Sequence, residues 1–146
     1  MYKRQVIGGV LTYEQIFEGT IQENISMGRS KATIENVRWA IENVGLNDFV
    51  KSQKQGLDTK LESLGKGLSK SIIQKILIAR SFADKPKLLL FEYTFEHIKE
   101  EERNKILDFL LNKNHSWTIV AVTADPYFIS KSDRNIQLAK GEILIK

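Results

Sequence analysis

Residues 68–93 read LSKSIIQKILIARSFADKPKLLLFEY, and this stretch decides the fold. Ser71 and Gln74 stand three apart, the spacing of a capping box at a helix start. Ile72, Ile73, Ile76, Leu77, Ala79 and Phe82 follow on one broad face, which predicts a helix. Pro86 cannot continue it, since proline lacks the amide hydrogen and clashes with the preceding turn. Leu88 to Phe91 is apolar throughout and reads as a fully buried strand. That strand ends on Glu92, so a carboxylate is expected at its C-terminal end.

Working outward, Lys99 to Leu111 is amphipathic, with Ile106, Leu107, Leu110 and Leu111 inward. Trp117 to Thr123 is a second apolar, β-branched strand. Asp125-Pro126 can open a short helix, because proline suits the first helical position. Asn135 to Leu138 and Ile143 to Ile145 read as a hairpin around Lys140-Gly141. Upstream, Val6 to Leu11 is a strand leading into a loop, and residues 12–30 are polar and turn-rich. Thr33 is a predicted N-cap for a helix carrying Ile34, Val37, Ile41 and Val44, stopped at Gly45. A short helix follows over Asn47 to Ser52, and residues 53–67 are polar. Buried strands alternating with helices give an α/β layer with parallel pairing.

The 146 residues are 42% hydrophobic and 27% charged, which excludes disorder and collagen-like repeats. There is no cysteine, hence no disulfide framework and no thiolate zinc site. The two histidines, His97 and His115, are too few for a metal site of several imidazoles. Net charge is +4, but 22 basic residues are interspersed with 18 acidic ones and no basic stripe forms. This is a mixed solvated surface rather than a nucleic-acid interface. No apolar stretch reaches the ~18 residues of a membrane span. Met1 to Gln5 carry charge without a following signal-peptide core. A soluble, cytoplasmic chain is expected, serving any membrane through a partner.

Several stretches, in order, resemble the ATP-binding cassette of ABC transporters, especially the exporter type. Ile7 to Ile25, IGGVLTYEQIFEGTIQENI, is similar to the family's Q-loop segment and the Phe-x-Gly-Thr-Ile-x-Glu-Asn-Ile run after it. Leu68 to Arg80 is similar to the LSGGQ signature and its helix. Lys85 to Tyr93 is similar to the Walker B strand, and Trp117 to Asp125 to the strand before the switch histidine. Asp133-Arg134 and Gly141-Glu142-Ile143 are also family-like. The resemblance implies a partial P-loop NTPase-like fold. Residues 26–83 would be a helical, signature-bearing subdomain, and 1–25 with 84–146 the C-terminal part of a mostly parallel core sheet. No GxxxxGK[ST] phosphate loop occurs in these residues. The simplest expectation is the C-terminal portion of a cassette, with a natural half-protein as the rarer one.

The family's functional positions carry over residue by residue. Thr12 takes the Q-loop glutamine position, either as a ligand with only a hydroxyl or as a polar loop residue. Leu68 and Ser69 match the signature's start, whereas Lys70 and Ser71 replace its glycines. In the family this segment faces ATP held by a second cassette, its backbone amides approaching the phosphate. Here Lys70 could attract phosphate as a point charge, or Ser69 or Ser71 could merely cap a helix. Glu92 stands at the Walker B carboxylate position, implied to hold magnesium through water. Tyr93 stands where the catalytic glutamate would be, and a phenol with a pKa near ~10 is a poor general base. Sliding the alignment makes Glu92 the base but puts Phe91 at the magnesium position. Ala124 replaces the switch histidine and has no donor. Trp39 and Trp117 are expected to pack rather than stack on ligands. His97 is expected in solvent or at an interface.

The resemblance implies ATP and magnesium as cofactors of an intact domain. The implied partners are a second cassette and a transmembrane domain, at the cytoplasmic face of the membrane. This chain alone is expected neither to bind nor to hydrolyse ATP. Three readings follow: part of an ATP-driven transporter subunit, a degenerate non-hydrolysing cassette, or a scaffold. A parallel sheet lacking neighbours should expose an edge, and a homo-oligomer through that edge is expected.

Overall fold

A computed structural model describes residues 6–144. Three parallel strands form the central sheet: β1 (Ile7–Val10), β4 (Leu88–Glu92) and β5 (Thr118–Val122), in the order β1-β4-β5. Ile7 pairs with Leu88, and Leu88 in turn with Thr118, so the strand ends are level. A two-residue antiparallel ladder joins β2 (Gly19–Thr20) to β3 (Lys60–Leu61). A hairpin joins β6 (Gln137–Ala139) to β7 (Glu142–Leu144). The expected hairpin is present, although Ile145, like Met1 to Gln5, lies outside the described residues.

Helix α1 (Ile21–Ser26) lies in the segment read from sequence as polar turns, so that reading is corrected. Its cause is a capping box: the Thr20 hydroxyl accepts from the Glu23 amide at 3.0 Å, and Glu23 Oε2 accepts from the Thr20 amide at 2.7 Å. Helix α2 (Ile34–Asn43) starts on the Thr33 cap as expected, and Gly45 at φ +68° closes it. Helix α3 (Asn47–Ser52) matches its expectation. Single 3-10 turns at 56–58 and 63–65 then lead to α4 (Lys70–Phe82). Helix α5 (Glu100–Leu110) buries Ile106, Leu107 and Leu110. Helix α6 (Pro126–Lys131) is capped by Asp125, whose carboxylate accepts from the Phe128 amide at 2.9 Å.

The core fills the space between α4 and one sheet face, where Leu89 and Phe91 are buried along with Ile76, Ile78 and Phe82. β4 is not fully buried, contrary to expectation. It alternates, with Leu88, Leu90 and Glu92 half-exposed on the other face. α4 reaches the sheet at backbone distance: a Cβ on Gly8 would lie 1.7 Å from the Ser81 carbonyl oxygen. Any side chain there would push helix and strand apart. Trp39 and Trp117 pack as expected, in an aromatic cluster with Phe82, Phe109 and His115. Burial in that cluster holds the His115 imidazole below its usual pKa.

A buried polar network fastens α1 to α4. Arg80 donates from Nε to the Asn24 carbonyl (2.6 Å), from Nη1 to the Gln15 carbonyl (2.9 Å) and from Nη2 to Asn24 Oδ1 (2.9 Å). Asn24 Nδ2 donates to the Phe17 and Thr20 carbonyls. Arg29 donates to the Arg80 carbonyl and pairs with buried Asp84 at 3.1 Å. Burial still holds the Asp84 carboxyl above its ordinary value.

Asn24→Ala strips partners from the Arg80 guanidinium and from the Phe17 backbone. It should cost about 3 kcal/mol in urea unfolding. Lys105→Ala removes only the exposed Glu101 pair and should change stability by less than about 0.5 kcal/mol.

Candidate functional site

The C-terminal ends of β1, β4 and β5 come level at one rim of the sheet, as the register requires. β1 runs out at Val10, and the turn after it brings Thr12 over the end of β4. The Thr12 amide and hydroxyl both donate to Glu92 Oε2, at 3.2 and 2.5 Å. These two hydrogen bonds favour the ionised form and hold the Glu92 carboxyl below the usual glutamate range. The two positions singled out from sequence therefore meet.

Tyr93 follows in the left-handed region at φ +46°, a conformation unusual for a bulky side chain, and the residue is 52% exposed. Its amide stays in the ladder, donating to the Val122 carbonyl at 3.1 Å. Tyr93 and Ala124 line a cleft of about 190 Å³, together with Thr94, Arg103 and Asp125. Arg103 pairs with Asp125 at 2.9 Å, which ties α5 to the cap of α6 behind Ala124. Sequence reading missed this pair, because nothing local to Arg103 signals a partner 22 positions on (125 − 103).

The 68–71 segment forms the start of α4 and shares no hydrogen bond or ion pair with Thr12, Glu92, Tyr93 or Ala124 among the described residues. Ser69 is the cap, its hydroxyl accepting from the Ile72 amide at 3.3 Å. The expected Ser71–Gln74 capping box is corrected: Ser71 lies inside the first turn, and Gln74 Oε1 accepts instead from the His97 amide at 2.9 Å. Lys70 is exposed and Leu68 half-buried. His97 is exposed too, as expected. Gln74 and the Lys75–Glu102 pair (3.0 Å) link α4 to the segment after β4.

Ser69→Ala should cost about 1 kcal/mol in denaturant unfolding, and Ser71→Ala far less, because only Ser69 caps. Thr12→Val should raise the Glu92 pKa, read by carbon-detected NMR titration. A depressed carboxyl pKa stabilises the fold above the ordinary glutamate value, and that contribution is lost as pH falls through the depressed value. The variant should therefore lose part of this acid-side dependence.

No protein-family model matches the chain. It is 28% identical over 141 residues to the toxin RTX-III translocation ATP-binding protein of Actinobacillus pleuropneumoniae, covering 97% of this chain and 20% of that protein. The leukotoxin translocation ATP-binding protein LktB of Mannheimia haemolytica gives the same identity and coverage. The chain thus spans about a fifth of the length of these relatives. The fold is also similar to a bacterial Atm1-family ABC exporter solved with ATP bound, with a TM-score of 0.86 and 27% identity, covering 96% of this chain and 24% of that one. Motif order, parallel α/β topology and these likenesses agree: the chain is a homologue of ABC exporter ATP-binding proteins and carries part of their cassette fold.

Proposed function

We propose that the chain is part of the ATP-binding subunit or domain of an ABC exporter, and that this part by itself neither binds nor hydrolyses ATP. The observation that carries the reading is the end of β4. Glu92 is engaged by Thr12, and a phenol rather than a carboxylate follows it. Phosphoryl transfer depends on positioned charge and a base for the attacking water. Tyr93 is a poor base and Ala124 offers no donor to a phosphate. ATP with magnesium does not fit the residues present. One Glu92 oxygen is taken up by Thr12, and no cluster of three or more acidic or imidazole groups could hold a metal among the described residues.

In the intact assembly, the N-terminus of α4 (Leu68, Ser69, Lys70 and Ser71) would face a second cassette. α2 and the loops near it would meet a transmembrane domain at the cytoplasmic face of the membrane. Among the described residues no helix is long and apolar enough to cross a membrane, so membrane contact would run through that partner. The proposed division is a helical subdomain over 26–83 on a sheet core built from 1–25 and 84–146. A second reading is a degenerate, non-hydrolysing cassette with a regulatory or scaffold role. Lys70 and Ser71 favour it, since their side chains occupy the approach that glycines would leave open.

Titration calorimetry with magnesium-ATP should give no heat of binding up to millimolar nucleotide, and phosphate release should be absent. Tyr93→Glu should remain inactive, because the carboxylate alone restores neither donor nor phosphate cradle. Micromolar binding would overturn the reading.

A further inference from the structure

We propose that Asp84 is a proton-binding site built into the joint between α1 and α4: on mild acidification Oδ1 takes up the proton while Oδ2 keeps its contact with Arg29. Acid then strengthens the joint rather than opening it.

Asp84 stands just past the end of α4 and before β4, at the opposite end of that strand from Glu92. It is 4% exposed. Its Oδ2 lies 3.1 Å from Arg29 Nη1. Its Oδ1 is buried and has no hydrogen-bond partner among the described residues. An ionised carboxyl spreads its charge over two oxygens, and only one of them is answered here. Because Oδ1 has almost no accessible surface, a group from beyond these residues cannot reach it without displacing what covers it. The end of α4 adds to the difficulty. The last carbonyls of a helix concentrate negative potential, which opposes a carboxylate.

The charges that face the site are few. Arg29 and Lys31, both in the segment after α1, favour the ionised form, as does the Asp84 amide, and burial outweighs them. β1 meets α4 at Ser81 and has no titratable side chain.

Neutralising Asp84 leaves the joint assembled. Arg29 also donates from Nε to the Ser26 carbonyl (3.2 Å), and from Nη2 to the Ile25 carbonyl (3.2 Å) and the Arg80 carbonyl. Those acceptors are backbone groups and do not titrate. In a protonated carboxyl Oδ2 remains an acceptor for Nη1. The Arg29 side chain is 24% exposed, so its own charge keeps contact with water. The proton removes a buried negative charge and spares every bond of Arg29. The contribution of Asp84 is complete below the ordinary aspartate value and is lost as pH rises through the raised one. This is the reverse of Glu92, whose contribution is lost on acidification.

Carbon-detected NMR on the 146-residue chain should place the Asp84 midpoint above the ordinary aspartate value of ~3.9. The Arg29 guanidinium signals should keep their protection from solvent exchange through that step. Asp84→Asn binds no proton but retains an acceptor for Arg29. Between about pH 7.5 and about pH 4.5 the parent should gain stability relative to this variant in urea. Its unfolding constant should fall by about tenfold per pH unit at most. The midpoint on the parent chain decides the matter even if the variant does not fold. A midpoint at or below the ordinary value, loss of Arg29 protection in the same step, or a parent-to-variant ratio that stays flat or moves the other way would each overturn the proposal.

Discussion

A guanidinium with almost no water around it must find its partners within the protein, and the position of Arg80 follows from that constraint. It is 5% exposed and sits in the apolar run of α4. Its donors reach two carbonyls and one side-chain oxygen in the 15–24 segment, with the Glu14 carboxylate 3.6 Å away. Asn24, fully buried, then closes the remaining polar groups of Phe17 and Thr20. Burying a charge is tolerable only when its geometry is this complete. The turn-rich segment after β1 therefore has one place to go, and that place also positions Thr12 near the rim of the sheet.

The apolar runs of α2, α4, α5, β4 and β5 were legible in the sequence, as were the short α3 and the Asp125-Pro126 start of α6. Helix α1 was not, because its six residues hold too few turns to show a period and no proline marks its start. Its real signal was Thr20 and Glu23, three apart, within a segment whose glycines suggested turns. Ser69 and Ser71 posed the opposite difficulty. Both can cap, and a glutamine three residues on favoured the wrong one until Gln74 proved to be engaged by the His97 amide. The alternation of β4 was hidden because leucine fills both of its faces.

In the candidate site, the meeting of Thr12 with Glu92 follows from parallel pairing, since level strands bring their following turns to a common rim. What pattern could not supply was the consequence of that meeting. A threonine short enough to fold back on the carboxylate satisfies it locally, where a longer side chain would project past it. The Arg103–Asp125 pair depends on how α5 docks, a matter of tertiary packing that no local spacing encodes.

The near-contact between Gly8 and the Ser81 carbonyl has a mechanical meaning. With no side chain between them, strand and helix cannot slide or tilt independently. At this point the two backbones touch, so neither β1 nor α4 can shift there unless the other gives way.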